Sequence, residues 1–177
     1  VIKKLLSDAP AVARALSSHF TLDGKPSAES WCESIFETSY ESTPVSIPIH
    51  GKLDVVVDAE NEVLVFDYKT RQSMSVAEIK GETKNSDGKY FRQLVFYKFL
   101  LSRDVRYKHK SIIPSLVFVS PDEKGRCPII TLPIEEMDVK KMETEIKSLV
   151  EGVWSGRFLT EFCEEKDCEW CRLKKVE

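Results

Sequence analysis

The chain has 177 residues and a mass of 20.2 kDa, enough to bury roughly 70% of its unfolded surface in one core and too little for two full domains. Apolar residues at 42% and charged residues at 31% exclude a disordered ground state, and no apolar run approaches the length of a membrane span. Lys and Arg total 26 against 29 Asp and Glu, a net charge of −3 that does not fit a domain coating DNA, although a local basic stripe needs no overall excess.

Five cysteines, an odd number behind an opening VIKKLL too short and too charged for a signal peptide, point to a reduced, cytoplasmic setting rather than a disulfide framework. A first residue of Val rather than Met suggests a piece of a longer polypeptide.

In chain order, Asp8 reads as the cap of a first helix, with Pro10 in its first turn and Val12, Ala15 and Leu16 at helical spacing. After a Gly24–Pro26 break, Ser30-Trp31-Cys32-Glu33 has the form of a capping box leading into Ile35 and Phe36, which predicts a second helix. Pro44 and Pro48 allow only edge or irregular strand. Leu53–Val57 and Val63–Tyr68 are β-branched or aromatic runs around a polar turn and predict a hairpin. Residues 70–89, polar and containing Gly81 and Gly88, read as a long loop around a weak helical turn. Lys89–Leu101 carries Tyr90, Leu94, Tyr97 and Leu101 on one helical face. Ile112–Val119 is a buried-type strand that Pro114 should break, and Cys127–Leu132 is a short one. Glu135–Val153 is a helix with Val139, Met142, Ile146, Leu149 and Val153 as its apolar stripe. This order predicts an α/β fold, a mixed sheet flanked by helices.

The hairpin carries the chemistry. Aspartate is depleted from strands, yet Asp54 and Asp67 sit inside the two runs, and Lys69 follows two residues after the second. A turn centred between Glu60 and Asn61 sets Asp54 opposite Asp67, and alternation puts Lys69 on the same face. The other face, with Leu53, Val55, Val57, Leu64, Phe66 and Tyr68, is expected to be core. Two opposed carboxylates repel unless neutralised. A divalent ion such as Mg²⁺, which takes one or two carboxylates plus phosphate oxygens, does so and supports phosphodiester hydrolysis. The plain alternative is a solvated hairpin face on which Lys69 pairs with one aspartate.

Gly51-Lys52-Leu53-Asp54, then Val65-Phe66-Asp67-Tyr68-Lys69-Thr70, then Gln93-Leu94-Val95-Phe96-Tyr97 together resemble the PD-(D/E)XK nucleases of the RecB type. The pattern there is G-x-(I/L)-D, a strand ending D-Y-K-T, and Q-x-x-x-Y on the next helix. The likeness extends to the nuclease domain at the C-terminus of UvrD/Rep-like helicases, with AddB and the CRISPR-associated exonucleases as relatives. It implies a restriction-endonuclease-like core that cuts DNA with Mg²⁺ or Mn²⁺. The resemblance covers residues 49–101 best; the whole chain, 1–177, is expected to be one such domain, with a helical part at 1–40, a catalytic core at 41–153 and a cysteine-bearing cap at 154–177. Asp54 and Asp67 would bind metal, the Tyr68 backbone carbonyl would complete the shell, and Lys69 would be the catalytic lysine. Gln93 and Tyr97, one helical turn apart, would position the DNA or the lysine. The early histidine ligand of RecB-type nucleases would be His19, with Glu33 or Glu37 as substitutes; His50 and His109 read as structural.

Cys163, Cys168 and Cys171 fall within nine residues, a spacing that favours Zn²⁺ or a [4Fe–4S] cluster, each needing a fourth ligand. RecB-type relatives with such a cluster more often space the triplet C-x2-C-x5-C, with one cysteine upstream. Cys32 and Cys127 are the candidates here, and the alternative is a reduced C-terminal cap around Trp170. Lys69, Arg71, Lys80, Lys84, Lys89 and Arg92 form a basic stripe able to track phosphates. The leading expectation is a metal-dependent DNA exonuclease domain working with a helicase in recombination and repair. Its rivals are a catalytically silent DNA-binding or scaffolding module of the same fold, and a metal-cluster interaction domain.

Overall fold

The computed structural model describes residues 2–20, 23–163 and 168–173, apart from the side chains of residues 2–5, 18–20, 170 and 173. In chain order the elements are α1 (Ile2–Phe20), β1 (Lys25–Tyr40), β2 (Thr43–Asp58), β3 (Glu62–Lys69), α2 (Val76–Lys80), α3 (Lys89–Leu101), β4 (Ser111–Phe118), β5 (Ile129–Thr131), α4 (Glu136–Trp154), α5 (Arg157–Thr160) and α6 (Glu169–Leu173). The strands form one sheet in order β1-β2-β3-β4-β5. Its pairings are antiparallel except β3 with β4, and that parallel pair needs the crossover that α2 and α3 supply. The α/β architecture read from the sequence is present.

The segment expected to be a second helix is strand β1. Cys32, Ser34 and Phe36 are buried while Trp31, Glu33 and Ile35 are exposed, a period of two that no helix gives. Its ladder with β2 runs from Lys25↔Asp58 to Tyr40↔Thr43, interrupted only at Glu29 and Asp54. That many paired residues outweigh one local capping pattern. Helix α1 begins at Ile2, so Asp8 is not its cap and Pro10 lies inside it. Pro114 does not break β4: β5 reaches only Ser115–Val117, which leaves one edge open where a missing N–H forfeits no ladder bond. On α4, Met142 and Val150 are buried, whereas Leu149 and Val153 face solvent, so the buried stripe differs from the expected one at its C-terminal end.

The hairpin forms in the expected register, Val55↔Phe66 to Asp58↔Val63, but its faces differ from expectation. Val56, Val63 and Val65, on the side of Asp67 and Lys69, belong to the larger core with Leu94, Phe99, Leu100 and Leu101 of α3. Val55, Val57, Phe66 and Val117 make a smaller cluster on the other face, with Leu64 and Tyr68 against it. Both faces are therefore covered, as expected for strands lying inside a sheet with a parallel pair. Leu53 and Val56 both join the larger core, so strict alternation fails at Asp54; opposite it, Glu29 has a left-handed φ of 49°.

The crossover loop is more ordered than its composition suggests. Ser75 and Glu78 form a reciprocal capping box on α2, which ends at Gly81 with φ 78°. A Cβ on Gly81 would come within 2.7 Å of the Gly88 nitrogen, so glycine there lets the loop close just before α3 begins.

Candidate active site

Beyond Val55↔Phe66 the strands of the hairpin part, and a side chain takes over from the ladder: the Tyr68 N–H donates to Asp54 Oδ2 at 2.8 Å. Asp54 thus marks the opening between β2 and β3 while β3 continues to Lys69 beside β4. On β3, Asp67 and Lys69 project from the face that α3 covers, and both are largely buried, with side-chain exposures of 5% and 15%.

Helix α3 completes the arrangement because Gln93 and Tyr97, at i and i+4, reach the same carboxylate. Asp67 Oδ1 accepts from Gln93 Nε2 at 3.0 Å and from the Tyr97 hydroxyl at 2.8 Å. Gln93 Nε2 also donates to the Tyr97 oxygen at 2.7 Å, and Gln93 Oε1 accepts from Lys69 Nζ at 2.7 Å. The Lys69 ammonium pairs with Asp67 Oδ2, and no further hydrogen bond reaches that buried oxygen among the described residues. Burial and the Asp67 charge together push the Tyr97 phenol well above the ordinary tyrosine range, so it stays a proton donor across neutral pH. Asp54, held by the N–H of the residue between Asp67 and Lys69, adds a smaller contribution to the same upward shift. Gln93→Leu deletes three hydrogen bonds and should lower the unfolding free energy by about 1–3 kcal/mol, measured as a shift in guanidinium midpoint at unchanged m-value.

Asp54, Asp67, Lys69, Gln93 and Tyr97 are therefore brought together at the end of β3. Tyr68 turns its side chain toward the smaller cluster on the opposite face. The side chain of His19 lies outside the described residues. Glu33 and Glu37 are on the exposed face of β1, where Glu37 accepts from Ser46 Oγ at 2.7 Å, and neither joins the acids; as strand residues they alternate with the buried positions. His50 stacks on Trp31 with ring centroids 4.8 Å apart. One neighbour was missed: the Tyr90 ring lies 4.8 Å from Lys69 Nζ, and its signal was the spacing Tyr90, Gln93, Tyr97 on one helical face.

The basic stripe divides. Arg71 and Lys89 lie 6.0 and 5.9 Å from the Tyr90 ring, beside Lys69, and Lys84 lines the adjoining groove. Lys80 packs on Phe91, and Arg92 pairs with Glu145 of α4 at 2.9 Å. In the tail, the Cys163, Cys168 and Cys171 thiols lie within 4.8 Å of one another. Cys32 is not among them; it is buried in the larger core, 3.9 Å from an Arg106 nitrogen. Cys127 is also buried and apart from the triplet.

As a site for a divalent cation, the donor set fits. Asp67 offers a buried oxygen that already neighbours positive charge, the Lys69 ammonium, and Asp54 offers a second carboxylate whose Oδ2 is fixed by a backbone N–H. No helix among the described residues is long and apolar enough to cross a membrane.

No curated protein matches the chain. Among solved structures it is similar to the crystal structure of SSO0001, at 19% identity and a TM-score of 0.43. That similarity covers 82% of this chain and 60% of the other, so the chain spans less than two thirds of that protein's length. The family model of the PD-(D/E)XK nuclease superfamily matches residues 4–176, a span that takes in the parted hairpin, its acids and lysine, and the helix behind them. The chain belongs to the PD-(D/E)XK nuclease superfamily.

Proposed function

We propose that this chain is a metal-dependent deoxyribonuclease domain of the RecB type, acting as an exonuclease with a helicase in DNA recombination and repair in the cytoplasm. The observation that carries the reading is the network on Asp67, in which one oxygen is saturated by Gln93 and Tyr97 and the other is given over to positive charge, held here by the Lys69 ammonium. In this reading Asp54, Asp67 and the Tyr68 carbonyl hold Mg²⁺ or Mn²⁺, with His19 of α1 as a further ligand. The bound ion supplies a polarised phosphoryl group and a more acidic attacking water.

The protein's own groups do the rest. Gln93 holds Lys69 at a fixed position, so the ammonium meets the charge that grows on the phosphoryl oxygens without having to reorganise. Tyr97, kept protonated, pins Asp67 in one rotamer. The three clustered thiols of the tail hold Zn²⁺ or a [4Fe–4S] cluster in this reading, with a ligand beyond Cys32 and Cys127 completing it. Residues 1–177 act as a single nuclease domain within a larger assembly.

The test is digestion of end-labelled single- and double-stranded DNA with Mg²⁺ or Mn²⁺. Shortening from the ends that chelation abolishes is the expected result. A folded protein that binds DNA and cuts nothing with either metal is instead the silent module of the same fold.

A further inference from the structure

We propose that the groove between the α2–α3 connection and the end of β3 is a subsite for the phosphate that neighbours the scissile one on a nucleic-acid strand. The proposal rests on the nuclease reading for the position of the scissile phosphate. The groove is a cavity of about 410 Å³, lined among others by Arg71, Met74, Thr83, Lys84, Lys89 and Tyr90, a volume in the range of small-ligand sites.

Its electrostatics are unbalanced. Lys69, Arg71 and Lys89 all approach one aromatic ring, that of Tyr90, at 4.8, 6.0 and 5.9 Å. Of the two acids of the groove, Glu78 is occupied by the α2 cap and Asp87 is only loosely paired, with Lys89. Both Ser75 N and Ser75 Oγ donate to Glu78 Oε2 at 2.8 Å, and Asp87 accepts from the Lys89 N–H at 3.2 Å. The Asp87–Lys89 ion pair is 3.4 Å long with both side chains 68% exposed, a weak pair. Among the described residues Arg71 and Lys84 form no ion pair. The lining thus keeps an excess of positive charge, three cations against two acids, which favours an entering anion.

The groove is also preformed and continuous with the site. Thr83 and Ser86 close a turn through their hydroxyls and backbone, and the Gly81–Gly88 contact fixes the two ends of the loop. Tyr90 is the shared wall: the Lys69 ammonium lies near its ring, as do the two groove cations. A strand that places one phosphodiester at Asp54, Asp67 and Lys69 brings its next phosphate toward Arg71 and Lys89. The occupant is therefore a phosphodiester backbone, read by charge rather than by base.

The experiment is anisotropy of a fluorescein-labelled single-stranded oligonucleotide in EDTA over a salt series, with cleavage in Mn²⁺ measured separately. The double variant Arg71→Ala/Lys89→Ala should bind about tenfold more weakly. Its log K against log salt should be shallower by roughly 1.4, two phosphate contacts' worth for a single strand. Arg71→Lys/Lys89→Arg should restore the slope. Lys108→Ala, in the loop at the far end of β3, should leave it unchanged. An unchanged slope in the double variant, with wild-type cleavage intact, overturns the subsite and leaves the nuclease reading standing. A fallen slope in a protein that cuts nothing keeps the groove as a phosphate-binding surface but overturns the nuclease reading, and with it the groove's place beside a scissile phosphate.

Discussion

Replacing Lys69 by Ala should lower the metal-dependent cleavage rate by about 10²–10³-fold in kcat, with little change in KM. Lys69 Nζ is held by Gln93 Oε1 at 2.7 Å, lies against Asp67 and is only 15% exposed. A cation so placed has paid its ordering cost before substrate arrives, which is why its loss falls on the rate rather than on binding. Lys69→Arg should not rescue, because a planar guanidinium needs a different donor geometry and more room than this packed position gives. Stability should respond as well. Without the ammonium, Asp67 is a buried charge lacking its counter-ion, and breaking such a pair costs up to about 3–5 kcal/mol. A divalent ion can replace that lost charge, so Mn²⁺ should raise the melting temperature of Lys69→Ala by more than it raises the wild type. Single-turnover kinetics and calorimetric scans with and without Mn²⁺ check both halves.

Asp67→Asn should have an effect of comparable size, a kcat loss on the order of 10³-fold, for a different reason. The amide keeps the shape of the carboxylate and its oxygen can still accept from Tyr97 and Gln93, while the Lys69 ion pair and the charge that would hold the ion are both lost, so stability falls along with activity. Its signature lies at alkaline pH. Tyr97 is raised above its ordinary value first by burial and then by the Asp67 charge. A raised phenol stabilises the fold fully below its unfolded value, about pH 10, and that contribution is lost as pH rises through the folded value. With Asp67→Asn the shift shrinks to the part due to burial. The fall in unfolding free energy above about pH 10 should then be shallower than in wild type, as read from denaturant titrations across that range.

The parts of the site legible in the sequence are those written in short-range pattern. The Glu60-Asn61 turn and the β-branched runs beside it determine the register, and that register brings Asp54 and Asp67 to the same end of the hairpin. Gln93 and Tyr97 need only helical spacing to meet on one carboxylate. Strand β1 was hidden because Ser30, Glu33, Ile35 and Phe36 satisfy a helix start locally, whereas the ladder that makes them a strand comes from residues 43–58. The covering of the acid-bearing face was hidden for a related reason. Val55-Val56-Val57 and Val63-Leu64-Val65-Phe66 are apolar at every position, the mark of a strand buried on both sides, and alternation alone cannot say which side α3 will take. Once β1 is a strand, Glu33 and Glu37 point away from the core, and their substitution for His19 falls with the helix that would have carried them.

The most direct test of the account is calorimetric titration of Mn²⁺ into the wild-type chain, Asp54→Asn and Asp67→Asn, each checked for native circular dichroism. The account predicts a Mn²⁺ site in the wild type that either substitution weakens at least about tenfold, the sign of two carboxylates gripping one ion. Mn²⁺ binding that neither substitution alters would contradict it.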